Sequence, residues 1–369
     1  MKKILIVIGD AGGGHISAAR AIEKSFERLY PGKFQISVVD IFTVAGIKPF
    51  NDAYRLYKMV NENWFYEMVY DFTALLTSTP PGFFIYKQYV IAKLYRTAKK
   101  IIAGYDPDLV IANNSIITPL AENMKKEGAA FKTVVLVTDI VQIFRGWADK
   151  YADLVISPTE EATHRLIRYG VDPSRIRAPL FPIKPELADF RPRREVLKEL
   201  GFKEQGKAIV LVTAGGFGVL SLERAINRLI TDERLQVIVL AGRIEEFKKE
   251  LETRYRGNSR VAVLGFVDNI QDYYNASDVI VGKPGPATII EVELFRKKAV
   301  LTKRVGIQEK GNAKFAVRNP NFKSIGARWW QLKKNVRELL DQKEVPTPGR
   351  RRFDESEQIV REIAGLLGE

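Results

Sequence analysis

Short apolar runs rich in β-branched residues recur along the chain and alternate with stretches of helical period. The runs Ile4–Ile8, Phe34–Val39, Leu109–Ala112, Thr133–Val137 and Leu154–Ile156 form one series. Ala208–Val212, Leu235–Leu240, Val261–Leu264, Val279–Val281 and Ala299–Leu301 form a second. Runs that are apolar throughout, rather than alternating, predict strands buried on both faces. Helical segments such as Ala18–Leu29 and Leu222–Ile230 lie between most of them. Each series therefore predicts a parallel sheet covered by helices, an α/β fold. The proline-rich, charged stretch 179–202 separates the series and predicts a linker running into a helix. A second irregular stretch at 344–357 precedes an amphipathic helix, Glu355–Leu367. The expected organisation is a first domain over 1–180, a second over 181–345, and a tail and helix over 346–369.

One segment breaks the strand–helix rhythm. An insertion at 50–105 gathers aromatics, among them Trp64, Phe65, Phe83 and Phe84, with Lys58, Lys87, Lys93 and Arg96 interleaved. Aromatic and basic residues on an amphipathic element suit a membrane interface, where rings sit at headgroup depth and cations meet anionic lipid. The same residues also suit a helical insertion packed into the domain's own core. The sequence leaves both open.

Composition narrows the chemistry. The formal charge is +14, which favours an anionic partner: nucleic acid, an anionic membrane face or a phosphorylated substrate. A merely solvated surface explains the charge as well. The sequence shows no nucleic-acid-binding motif and no compact basic recognition helix, so no nucleic-acid partner is expected. The chain has no cysteine, which excludes disulfides and a thiol nucleophile. With two histidines, His15 and His164, a histidine metal site is not expected. The opening MKKILIVIGD runs straight into a glycine loop, and its apolar run is too short for a signal peptide. No apolar run reaches the ~18 residues of a membrane span. A cytoplasmic protein is expected.

Four loops carry candidate chemistry. The first is Gly9-Asp10-Ala11-Gly12-Gly13-Gly14-His15, between a strand and a helix. Glycines bring bare N–H groups close to a ligand, and a helix N-terminus favours negative charge. Its spacing is neither that of a dinucleotide fingerprint nor that of Walker A. His15 adds an imidazole able to accept a proton from a hydroxyl, or simply to cap the helix. The second loop, Thr213-Ala214-Gly215-Gly216-Phe217-Gly218, repeats the arrangement in the second domain. The third, Gly282-Lys283-Pro284-Gly285-Pro286-Ala287-Thr288, opens a helix that carries Glu291. That carboxylate is placed to accept hydrogen bonds from a ribose diol, or to serve the helix dipole. The fourth is Gly306-Ile307-Gln308-Glu309-Lys310-Gly311-Asn312, with polar groups suited to sugar hydroxyls.

The order GGGH, TD…W, GGxG, GKPG…E and QE…NA resembles the processive diacylglycerol glycosyltransferases and the monogalactosyldiacylglycerol synthases. These belong with the peptidoglycan N-acetylglucosaminyl lipid transferase in one family of inverting glycosyltransferases. The resemblance runs over roughly residues 3–320. It implies a GT-B fold of two Rossmann-like domains with parallel sheets facing a central cleft. It implies a UDP-sugar donor in the second domain, a lipid acceptor such as diacylglycerol in the first, and no essential metal or other cofactor. His15 and Asp139 match the catalytic positions. On the donor side, Gly14, Gly216, Gly218, Lys283, Gly285 and Thr288 match the loops around the diphosphate. Phe266 and Val267 match the turn that flanks the uracil, and Glu291 the ribose-binding glutamate. Gln308, Glu309 and Asn312 match the loop near the donor sugar. Trp147 and Arg145 fall at the acceptor end, and Trp64 and Phe65 on the expected lipid-facing surface. The location implied is the cytoplasmic membrane face, held peripherally. The chain departs from the pattern in two places. Pro286 replaces a glycine and removes one N–H. No histidine stands shortly before Trp147, where the chain has Ile143-Phe144-Arg145-Gly146. A UDP-sugar 2-epimerase and a non-catalytic nucleotide-sugar-binding paralogue remain as alternatives.

Overall fold

The β-branched runs form strands that helices cover, so most strand residues lie buried, and they do so in two separate units. In the computed structural model the described residues are 1–9, 14–46, 64–202, 206–213, 221–302, 306–343 and 351–369. The first unit comprises residues 1–185, 305–308 and 354–369, and the second residues 186–304 and 309–353.

In the first unit the strands are β1 (Lys2–Ile8), β2 (Phe34–Asp40), β3 (Leu109–Asn113), β4 (Lys132–Leu136), β5 (Leu154–Ile156) and β6 (Ile176–Arg177). They pair in the order β2-β1-β3-β4-β5-β6, all parallel. Ile4, Ile6, Leu109, Ile111, Val134 and Leu136 point into one core, where they meet Ile22 and Phe26 of α1 (Gly14–Leu29). The opposite face packs on α2 (Ile41–Val44), on part of the long helix described next, and on α5 (Ile117–Lys126). The sequence direction of the sheet reverses between β1 and β3. Open parallel sheets bind ligands beyond the carboxyl ends of their strands at such a switch point.

The aromatic insertion divides into two helices with different fates. α3 (Trp64–Ser78) buries only Ala74. α4 (Pro80–Tyr105) starts after Thr79, whose hydroxyl accepts from the Gly82 N–H at 3.2 Å, and turns Val90, Ala98 and Ile102 into the core. The insertion thus packs one helix into the domain's own core and leaves the aromatics of the other exposed. The aromatics Phe50, Tyr54 and Tyr57 lie outside the described residues. α6 (Glu160–Arg168) follows β5.

In the second unit the strands are β7 (Ala208–Thr213), β8 (Leu235–Leu240), β9 (Val261–Leu264), β10 (Val279–Gly282), β11 (Lys298–Leu301) and β12 (Phe322–Ser324). Their order, β12-β11-β10-β7-β8-β9, is the six-stranded doubly wound order of a dinucleotide-binding fold. The switch point lies between β7 and β10. The helices are α7 (Arg193–Glu199), α8 (Ser221–Leu229), α9 (Glu245–Arg254), α10 (Ile270–Ala276), α11 (Pro286–Leu294), α12 (Gly306–Ala316), of which the part from Glu309 on belongs to this unit, and α13 (Leu332–Asp341). The terminal helix α14 (Glu355–Leu366) belongs to the first unit and lays Ile359, Val360, Ile363 and Ala364 into the α1 side of its core. β6 and β12 are edge strands that no apolar run announced. Among the described residues no helix is long and apolar enough to cross a membrane.

Candidate active site

The first glycine loop leaves β1 at Gly9, where a side chain does not fit. A Cβ there would lie 2.3 Å from the Phe42 ring and 3.0 Å from Asn114 Nδ2. Asp10–Gly13 lie outside the described residues, and α1 then begins at Gly14, an exposed residue, followed by half-buried His15. β1 and β3 run in register with Ile8 opposite Asn113. The end of β3 is therefore brought beside the glycine loop, at the switch point of the sheet. There His15 Nδ1 lies 2.9 Å from Asn113 Oδ1 and 3.3 Å from Thr138 Oγ1. The other histidine, His164, is exposed on α6.

Asp139 follows Thr138 directly. Its Oδ2 accepts the Trp147 indole N–H at 2.7 Å and the Gln308 amide N–H at 3.0 Å. Gln308 belongs to the short segment 305–308 of the first unit and itself accepts the Tyr70 hydroxyl at 2.5 Å. Burial pushes the Asp139 carboxyl above its ordinary range, while Trp147, the positive charge of His15 and Gln308 pull it back. The residue keeps a partly exposed edge, yet its carboxylate sits deep enough for desolvation to dominate. The Trp147 ring is 6.2 Å from that of His15. Trp147 itself is 1% exposed. Gly146 lets this turn close: a Cβ there would meet the Ser115 carbonyl oxygen at 2.3 Å. Arg145, expected near an anionic head group, donates from Nε to the Ser78 carbonyl at the end of α3 and stacks 4.5 Å over Tyr169.

Trp64 and Phe65 are exposed on α3, with Phe72, Leu75 and Leu76 also open to solvent. The basic residues near them are partly committed. Lys87 points inward to an ion pair with Glu122, and Lys99 pairs with Glu127 at 2.7 Å.

In the second unit the expected donor residues gather at the β10 end. Lys283 Nζ lies 3.1 Å from Glu309 Oε1, and Asn312, buried, donates to the Pro284 carbonyl at 3.2 Å. Gly285 caps α11 with extended backbone, and Pro286 takes the first helical position, where no N–H bond is lost. Thr288 approaches Gly282 and Gly285 on this turn. Half-buried Glu291 receives the hydroxyl of Tyr274, a fully buried ring whose pKa is raised well above the usual range by burial and by that carboxylate. The exposed ring of Phe266, beside half-buried Val267, carries the Arg243 guanidinium 3.6 Å above its centre. Gly216 and Gly218 lie outside the described residues.

Sequence reasoning missed Asn113, Thr138, Tyr70 and Tyr274. Asn113 ends a strand, where asparagine reads as a turn residue. The other three touch partners far away in sequence, which no spacing reveals.

Residues 15–183 match the family model of monogalactosyldiacylglycerol synthase, and residues 209–316 match that of the glycosyltransferase family 28 C-terminal domain. The first half of the chain is thus similar to one glycosyltransferase family and the second half to another. Among curated relatives, a probable monogalactosyldiacylglycerol synthase of Nicotiana tabacum is 28% identical over 86% of the chain and 61% of the relative. Monogalactosyldiacylglycerol synthase 1 of Arabidopsis thaliana is 26% identical over the same shares, 86% and 61%. The chain thus spans about three fifths of the length of the synthases it matches. Among solved structures, MurG of Acinetobacter baumannii aligns with TM-score 0.62 at 16% identity, covering 99% of this chain and all of that one. MnaA of S. aureus, solved with UDP, aligns with TM-score 0.64 at 16% identity, covering 100% of this chain and 97% of that one. These likenesses show the fold as GT-B.

Proposed function

We propose that the protein transfers a hexose from a UDP-sugar to a lipid hydroxyl such as that of diacylglycerol, with inversion at the anomeric carbon. The observation that carries this reading is His15, held at the switch point of the first sheet in the same unit as the exposed aromatic face of α3. The synthase relatives, named for a galactolipid product, support the substrate class.

The acceptor oxygen attacks the anomeric carbon as the bond from that carbon to the diphosphate breaks. The hydroxyl proton passes to His15 and the bonding electrons leave with UDP. Asp139 stabilises the resulting imidazolium, with Trp147 and Gln308 fixing the carboxylate; Asp139 is the next candidate for the base. Lys283 and the helix starts after Gly218 and Gly285 take up charge on the diphosphate, with the exposed Gly14 at the start of α1 on the first loop's side of the scheme. No metal or other cofactor has a part in this scheme. Glu291 receives the ribose diol, Phe266 and Val267 flank the uracil, and Gln308, Glu309 and Asn312 meet the donor sugar.

The exposed face of α3, with Trp64 at 75% and Phe72 at 65% exposure, is an apolar patch of the kind that marks an interaction surface. An anionic lipid surface covers it, and the +14 charge draws the protein there. Arg145 reaches the acceptor through the junction of α3 and α4. In this reading the enzyme works peripherally on the cytoplasmic membrane face.

A screen of UDP-glucose, UDP-galactose and UDP-N-acetylglucosamine against mixed lipid vesicles tests the reading. Labelled sugar should enter the lipid phase with at least one donor. A new nucleotide sugar formed without any acceptor would instead select the 2-epimerase, and binding without turnover a non-catalytic paralogue.

A further inference from the structure

We infer that Asn113 is a positioning residue that fixes the tautomer of His15, so that Nδ1 carries the proton and Nε2 is left bare to accept one. The inference rests on the proposed role of His15 as the base. Asn113 is fully buried at the last position of β3, and its Oδ1 lies 2.9 Å from His15 Nδ1. Thr138 Oγ1, at 3.3 Å, offers a second, longer contact to the same nitrogen. A ring N–H shared between two oxygens on one side leaves the opposite nitrogen with its lone pair free. A hydroxyl-deprotonating base needs that lone pair.

The position is unusual for a purely structural residue. Asn113 Nδ2 is buried and has no hydrogen-bond partner among the described residues. Buried polar groups are nearly always paired, and an unpaired donor is costly. An apolar residue would fill the end of β3 without that cost, as Ala112 does one position earlier. What the amide supplies is an acceptor for one ring nitrogen, fixed by a strand in register with the strand that carries the glycine loop. The reversed amide, with Nδ2 donating to Nδ1, would put the proton on Nε2 and leave no base.

The chain has two histidines, so nitrogen NMR of the full-length protein labelled in histidine reads the tautomer without ambiguity. Exposed His164 supplies the reference. With the rings neutral, His15 should show a protonated Nδ1 and a bare Nε2. In Asn113→Leu the tautomer should become mixed, and kcat should fall by about 10²-fold, because a wrongly protonated base costs up to about 10⁴-fold. KM for the donor should stay within about twofold, since Asn113 does not touch the donor in this scheme. Asn113→Asp keeps an acceptor oxygen and should keep the wild-type tautomer. A protonated Nε2 in the wild type overturns the inference whether or not the variants fold. So does an unchanged tautomer in Asn113→Leu. His15→Ala separates the two levels: if it transfers sugar at the wild-type rate, the base assignment fails; if it is inactive while Asn113→Leu is fully active, only the role of Asn113 fails.

Discussion

Trp147 and Trp64 stand in the same unit and have opposite surroundings. Trp147 is 1% exposed, packs with Val135, Ile143 and Val155, and gives its indole N–H to Asp139. Trp64 is 75% exposed at the start of α3, against the edge of the Phe65 ring at 6.2 Å. Removing an indole from water is favourable in both places. What differs is which body removes the water. At Trp147 the chain does so itself and gains a fixed orientation for the carboxylate next to His15. On α3 the described part of the first unit leaves the rings open, and in our account a lipid surface covers them. In that account one region serves geometry and the other attachment, so substitutions should separate turnover, stability and vesicle binding.

The sharpest separation comes at His15. His15→Ala should lower the transfer rate by about 10²–10⁴-fold, the usual share of a general base. UDP affinity by calorimetry and vesicle co-sedimentation should hardly change. An equal loss of UDP affinity would move His15 from chemistry to donor binding.

Trp147→Ala comes next. It empties a buried site and strips Asp139 of a donor, so thermal melts should show about 3–5 kcal/mol of lost stability. Vesicle binding by the remaining folded protein should persist. A loss below about 1 kcal/mol would mean that this region is not the packed support described here.

Two residues beyond Trp147, Asp149 is buried, and its Oδ2 has no hydrogen-bond partner among the described residues. Burial, helped by the charge of Glu122, pushes its carboxyl up to about 6, against hydrogen bonds from the Tyr151 and Ala152 backbone and the charge of Lys87. A folded-state pKa above the unfolded one means that the native state binds the extra proton. Stability from this group is present below about pH 4 and is lost as pH rises to about 6. Asp149→Asn should therefore stabilise the protein by roughly 1–3 kcal/mol at pH 7.5 and very little at pH 4. A gain that is equal at both pH values would show that Asp149 is not the titrating group.

The smallest effect on stability belongs to α3. Replacing Trp64 and Phe65 with Ser should shift stability by less than about 0.5 kcal/mol each, while vesicle co-sedimentation drops. Salt should weaken the binding of the wild type, since screening acts within about 10 Å. A large fall in melting temperature with unchanged sedimentation would erase the contrast with Trp147.

The pattern of the chain made the two sheets legible because most of the ten strands it marked are continuous apolar runs, Phe34–Val39 with Gln35 and Ser37 being an exception. β6 and β12 escaped because Ile176–Arg177 and Phe322–Ser324 are short and carry Arg177 and Lys323 at sheet edges, where no apolar run is needed. The amphipathic terminal helix was legible; that its apolar side docks on α1 was not, because period gives a face but no partner. At the site, glycine spacing pointed to His15. The Asn113 contact depends on the β1–β3 register, which a single sequence does not encode locally. Trp147 was assigned to the acceptor end by its motif, yet its eight-residue distance from Asp139 carries no direction, and burial decided how the indole is used.

The central claim is a single displacement onto a lipid hydroxyl, with His15 as base. NMR of the glycolipid formed from an α-linked UDP-sugar tests it most directly through the configuration at the anomeric carbon. A β-linked lipid glycoside is the predicted product. An α-linked glycoside, or a nucleotide sugar epimerised without any lipid product, would contradict it.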